Sequence, residues 1–253
     1  MTFDFIKITQ NHSFSNFSLG KLFNSPLSSS SLMLKIGHRG ASGYEPENTL
    51  RSFQKAILLG ADMVECDVHL SKDDHAVVIH DSKVNRTTNG RGRVSKMTLA
   101  ELKQLDAGKG EKIPTLEELI DLVKGKCLLN VEVKGWKPAQ KVLEIVQAKN
   151  FAKYTVISSS NYKALQLLSN SPAQELALIV FRPIRKNILL NKITKAGINA
   201  VHIDKRLATK RVIAFLHEHN IKVRVWTVNK PNQINKFKRL KVDGIISNYP
   251  DRI

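Results

Sequence analysis

The sequence predicts an α/β fold, a single-domain TIM (β/α)8 barrel with a hairpin excursion and a long connection after strand two. Three observations predict it. Eight short apolar runs of β character, at 34–37, 63–68, 128–133, 155–159, 176–180, 199–203, 223–228 and 243–247, alternate with helical patterns. The chain has 253 residues, about what one such barrel uses. His38, Glu65, Asp67, His80 and Glu132 each fall at or near the end of an apolar run, where the strands of a parallel barrel converge on one mouth.

Taken in order, residues 1–33 stand apart: they are rich in Ser, Asn and Phe, lack periodicity and end near Ser28-Ser29-Ser30-Ser31. Asp4 and Lys7 stand where a secretory leader would want a basic start followed by roughly 7–15 apolar residues. The segment is expected to be a disordered extension or a start-site artefact, with translation beginning at Met1 or Met33 and the catalytic barrel occupying 34–253. After the first strand, Asn48 or Thr49 caps a helix that Gly60 ends. The run 76–80 follows strand two after only Ser71-Lys72-Asp73-Asp74, too short for a crossover helix. It therefore reads as the return of a hairpin over 68–80 that carries His80 back over the mouth toward His38. The region 82–127 is a long connection of the kind that carries specificity, and Thr115-Leu116-Glu117-Glu118 within it is a capping box for a helix to Val123. Helices are expected at 139–149, 161–170, 185–196, 208–219 and 231–240, and Asp243-Gly244 marks the entry to the last strand.

Composition excludes several classes. No apolar run approaches the roughly 18 residues of a spanning helix, so no transmembrane segment is expected and a cytoplasmic location fits. Two cysteines make no disulfide framework, and Cys66, between Glu65 and Asp67, reads as a buried apolar filler on the opposite strand face. The formal charge of +18 would attract anions, but without an aromatic–basic stacking platform it reads as solvated barrel helices, and no nucleic-acid partner is expected.

Glu65 and Asp67 are two apart and share one strand face; with Glu132 they offer three hard anionic oxygens suited to one divalent cation, Mg²⁺ or Ca²⁺. Zinc fits less well, because His38 and His80 are better spent as acid and base. The set points to hydrolysis at a phosphate. Arg39 can fork onto phosphoryl oxygens and Lys134 can add a point charge; ion pairs to the three acids are the structural alternative for both. Asp81 either orients an imidazole or caps the following turn. Trp226 should face the mouth, as substrate contact or as plain core.

The wording of the motifs narrows this further. Gly37-His38-Arg39-Gly40-Ala41, Pro46-Glu47-Asn48-Thr49, Glu65-Cys66-Asp67-Val68, His80-Asp81, Arg86-Thr87-Thr88-Asn89-Gly90, Ile113-Pro114-Thr115-Leu116, Glu132-Val133-Lys134 and Trp226-Thr227-Val228-Asn229 resemble the glycerophosphodiester phosphodiesterase family. The resemblance runs from about Leu34 to Tyr249. It implies a TIM barrel with Glu65, Asp67 and Glu132 on the metal, His38 and His80 in proton transfer, Glu47 and Asn48 as supporting residues, and Trp226 near substrate. Asn48 is equally readable as a helix cap. One departure is Ser160, where the family usually carries an aromatic before the Asn, which leaves the apolar substrate contacts open.

The implied reaction is metal-dependent hydrolysis of small-molecule glycerophosphodiesters to glycerol 3-phosphate and an alcohol. Direct attack by water and a cyclic phosphate formed by the substrate's own hydroxyl both use these residues. The alternatives are a phospholipase D-type activity on lysophospholipids, which a membrane-binding apolar loop would favour, and a non-catalytic polyanion-binding barrel. Leu99, Leu102 and Leu105 are spaced as a helix rather than as such a loop.

Overall fold

The structure, a computed structural model, describes residues 33–173 and 175–253. Residues 1–32 of the expected extension lie outside the described residues, while Met33 packs against the core. Among the described residues nine strands form one sheet: β1 (Leu34–His38), β2 (Met63–Leu70), β3 (Ala76–Val78), β4 (Leu128–Val133), β5 (Thr155–Ser159), β6 (Glu175–Val180), β7 (Ala200–Asp204), β8 (Lys222–Trp226) and β9 (Gly244–Ser247). Eight of them run parallel in the order β1-β9-β8-β7-β6-β5-β4-β2, and β1 pairs with β2 to close the barrel. The ninth, β3, returns antiparallel on β2 with Val68 opposite Val78, which is the predicted hairpin.

Helices α1 (Leu50–Leu58), α2 (Leu99–Gln104), α3 (Leu116–Val123), α4 (Trp136–Ala148), α5 (Tyr162–Leu167), α6 (Lys186–Lys195), α7 (Lys210–Glu218) and α8 (Pro231–Arg239) fill the connections. Thr49, not Asn48, caps α1: its hydroxyl accepts from Ser52 N at 3.2 Å, and the helix buries Phe53 and Ala56. Thr115 and Glu118 form the expected capping box on α3. Helix α4 starts three residues earlier than the predicted 139, because Pro138 falls in its first turn, where no backbone N–H is required. Helix α5 ends at Leu167 rather than at 170.

Two apolar layers follow from the strand alternation. Outward-facing strand residues, Cys66 among them, pack with the helices. Inward-facing Leu34, Ile36, Met63, Leu128, Val156, Ala177, Ala200 and Ile246 plug the barrel. A third, smaller core of Val77, Ile79, Val84, Val94, Leu102 and Ile113 supports the long connection, with Leu99 and Leu105 packed on it. These leucines therefore build the insertion. The basic side chains of α6 to α8, such as Lys195, Arg211 and Lys236, lie on exposed faces, in keeping with the solvated reading of the charge.

The barrel interior also holds a buried ion pair. Glu175 is 3 % exposed, pairs with Arg224, itself 1 % exposed, and also receives Lys222. Removing the carboxylate strands a buried guanidinium, so Glu175→Ala is expected to cost about 3–5 kcal/mol in urea titrations. Lys222→Met, at a partly exposed partner, should cost under about 1 kcal/mol; equal losses would refute this account of Arg224.

Candidate active site

The chain leaves β1 through a turn that only certain backbones allow. Arg39 has φ 53° and Gly40 φ 82°, and a Cβ on Gly40 would lie 2.5 Å from Ser52 of α1. This turn brings the Arg39 N–H onto Glu65 Oε2 at 2.8 Å and fixes His38 at the strand end. The Nδ1–H of His38 donates to Asn248 Oδ1 at 2.7 Å, which leaves Nε2 unprotonated. Asn248 is held in turn, its backbone N–H donating to Asn229 Oδ1 at 2.9 Å. Burial, with Arg39 beside it, pushes the pKa of His38 down to about 4.

Glu65, Asp67 and Glu132 point into the mouth from β2 and β4, each offering an oxygen within 4.8 Å of the others. Asp67 stands in register with Glu132. Burial and the charges of its two neighbours hold Glu65 well above the usual carboxylate range, and burial also raises Glu132 against the pull of Lys134. Burial would raise Asp67 too, but Lys134 and Arg39 outweigh it and hold this carboxyl well below that range. Lys134 Nζ is 2.7 Å from Asp67 Oδ1 and also pairs with Glu132. Arg39 reaches Asp67 at 3.2 Å and Glu47 at 2.8 Å. Arg39 and Lys134 are thus ion-paired to the acids, the arrangement weighed above against phosphate binding. Asn48 is no cap: with φ 58°, its Nδ2 donates to Asp67 Oδ2 at 2.9 Å.

These residues fit a divalent cation. All three donors are hard carboxylate oxygens crowded together, Glu65 and Asp67 buried and Glu132 half-buried, and they carry one more charge than Arg39 and Lys134 compensate.

His80 returns over the mouth on the hairpin, as predicted. Its Nδ1–H donates to Asp81 Oδ1 at 2.6 Å, so Asp81 orients the imidazole rather than capping a turn. His69 Nε2 donates to the His80 carbonyl at 3.0 Å and so helps to hold the strand end that carries the second imidazole. Arg86 binds Asp81 through Nε at 2.8 Å and Glu47 through Nη1 at 2.9 Å, tying the long connection to the first turn. Its hydrogen bonds are the largest influence holding Asp81 well below the usual carboxylate range. Arg86→Ala should therefore lower kcat/KM by about 10- to 100-fold through misplaced His80, with thermal unfolding little changed. An unchanged rate would make Arg86 a surface brace only.

One open cavity joins His38, Glu65, His80, Glu132 and Lys134, and Trp226 and Ser160 also line it. Every predicted residue except Asp67, Glu47, Asn48 and Asp81 lines it, and those four lie directly behind its wall through the bonds given above. Asn248, Arg86 and Asn130 received no role from the sequence. Asn248 follows the last predicted strand, so the strand-end rule that found His38 would have found it; Arg86 lay inside a quoted motif.

A model described as the glycerophosphoryl diester phosphodiesterase family matches residues 38–252. A glycerophosphodiester phosphodiesterase of Bacillus altitudinis is 36 % identical over 236 residues, covering 87 % of this chain and 96 % of its own. One from Caldanaerobacter subterraneus is 34 % identical over 238 residues, with coverage of 87 % and 96 %. The structure of an Oleispira antarctica phosphodiesterase in complex with the product sn-glycerol-3-phosphate matches with a TM-score of 0.78 at 31 % identity, covering 86 % of this chain and 94 % of that one. A Thermotoga maritima glycerophosphodiester phosphodiesterase matches with a TM-score of 0.74 at 28 % identity, covering 88 % and 97 %.

Proposed function

This chain belongs to the glycerophosphoryl diester phosphodiesterase family, and we propose that it hydrolyses glycerophosphodiesters to sn-glycerol 3-phosphate and an alcohol, with His38 and His80 moving the protons. The observation that carries this reading is the placement of two imidazoles, each tied through Nδ1, on one cavity that Glu65 and Glu132 also line, with Asp67 converging on them from behind its wall. Both Nε2 atoms are left to the substrate.

His38, neutral and deep, takes the proton of the attacking oxygen at Nε2. His80, half-exposed and braced by Asp81, gives a proton to the leaving alcohol and exchanges it with solvent. Glu65, Asp67 and Glu132 would hold a Mg²⁺ or Ca²⁺ ion, whose chemistry is to neutralise phosphoryl oxygens and orient the diester. Lys134 stands beside them, placed to pair with a phosphate oxygen. Glu47 and Asn48 hold Arg39 and Asp67 in position. The acceptor–donor assignment is the same for water attack and for a cyclic phosphate.

A second reading, phospholipase D-type action on lysophospholipids, draws on Ile179, Phe181 and Trp226, which give one side of the cavity an apolar wall. No helix among the described residues is long and apolar enough to cross a membrane. The test is release of sn-glycerol 3-phosphate from glycerophosphocholine and glycerophosphoethanolamine, with Mg²⁺, Ca²⁺ or EDTA. Metal-dependent release is expected from both; no release from either, with lysophosphatidylcholine instead split into choline and lysophosphatidate, would install the second reading.

A further inference from the structure

Below the carboxylates lies a set of polar groups that the reaction as derived leaves unused. Asn130 precedes Glu132 by two residues on β4, so its side chain enters the barrel on the same face. It is 1 % exposed and lines the cavity, yet neither Oδ1 nor Nδ2 has a hydrogen-bond partner among the described residues. Each buried unpaired polar atom is costly, and leucine in its place would carry no such cost. Ser158 on β5, in register with Glu132, is a third buried group without a partner.

On the opposite side, His202 on β7 is 1 % exposed and borders the same cavity. Its Nε2 lies 3.2 Å from Arg224 Nη1, and Arg224 Nη2 donates to Glu175. A guanidinium only donates, so Nε2 accepts and the ring proton of the neutral imidazole sits on Nδ1. Burial, with Arg224 beside it, holds His202 well below its ordinary value, so the ring stays neutral. No described residue accepts from Nδ1–H. The Trp226 indole N–H donates to the His202 carbonyl at 3.0 Å and fixes the strand at this point. The floor of the cavity thus presents one N–H donor of fixed tautomer and one amide that both donates and accepts. That is the complement of hydroxyl groups; an anion would meet Asn130 Oδ1 and Glu65, and a cation would meet the Nδ1–H.

We propose that Asn130 and His202 form a hydroxyl-reading subsite for the glycerol moiety, selecting phosphodiesters whose glycerol hydroxyls are free. This deepens the reaction proposed above and rests on it. A polar floor closed beneath by Ile36, Met63, Val156 and Ala177 gives an acyl chain on that glycerol no apolar continuation, so lysophospholipids are disfavoured.

The test compares glycerophosphocholine with propyl phosphocholine, which lacks both hydroxyls, in the wild type and in Asn130→Leu. Wild type is expected to prefer glycerophosphocholine by about 100-fold or more in kcat/KM, because the analogue leaves the polar floor unpaired. Asn130→Leu should lower that preference by about 10-fold or more, by losing rate on glycerophosphocholine alone, and should raise the melting temperature. Calorimetric binding of sn-glycerol 3-phosphate against propyl phosphate gives a readout independent of turnover, with the same discrimination expected. Equal wild-type rates on the two diesters, or a preference that survives Asn130→Leu, would overturn the subsite. Absence of turnover on both would refute the reaction, and the two product affinities would then decide the subsite: equal affinities overturn it, and a preference for the glycerol compound that Asn130→Leu abolishes upholds it.

Discussion

His38→Ala is expected to lower kcat/KM for glycerophosphocholine by about 10²- to 10⁴-fold while circular dichroism and thermal unfolding stay close to wild type. The size follows from removing a base whose Nε2 the structure leaves free and whose Nδ1–H is held by Asn248. The pH profile carries the sign. With its pKa pushed down to about 4, His38 is neutral above that value, so the acid limb of kcat/KM should rise through the region near pH 4 in the wild type. For stability the direction is the same, in a higher window: the unfolded histidine takes up a proton near pH 6.5 that the folded one refuses until about 4. Folding therefore weakens as pH falls through that window, and His38→Phe should reduce this weakening. His80→Ala should give a loss of similar size, and slow substrates with good leaving groups should recover more of it than in His38→Ala, because only the leaving-group proton is missing. Near wild-type turnover in either variant would remove that histidine from the chemistry.

EDTA is expected to abolish turnover, and Glu65→Gln to weaken Mg²⁺ or Ca²⁺ binding by about 100-fold or more, since changes merely behind a metal site already cost 10- to 100-fold. Protons and cation compete for the same carboxylates. Burial and the neighbouring charges raise Glu65, so it is still partly protonated at pH values where a free carboxyl is ionised. The apparent cation affinity should therefore fall as pH drops, and the rise in melting temperature given by added cation should be larger at pH 8 than at pH 5.5. Glu65→Gln should flatten that pH dependence as well as lower the affinity. Calorimetry at the two pH values measures both. Activity unaffected by EDTA, or cation binding unaffected by Glu65→Gln, would separate the carboxylate cluster from the reaction.

Much of this is legible in the sequence. Strand alternation alone puts Glu65 and Asp67 on one face, and parallel strands alone put His38, Glu132 and Trp226 at one mouth. The short polar turn at 71–74 was enough to require a hairpin, and hence to return His80 over the site. What spacing could not supply is the partner of each group. Asn248 lies 210 positions from His38 and meets it because β9 closes against β1. Arg86 joins Asp81 to Glu47 across 39 residues because the long connection folds on its own small core. The tautomer of His202 depends on Arg224 and Glu175, brought together from three strands. Periodicity is a property of neighbouring residues and fixes the face a side chain occupies. Pairing depends on strand register and barrel closure, set by packing across the whole chain, so the sequence determined which residues reach the mouth and the tertiary structure decided which of them hold one another.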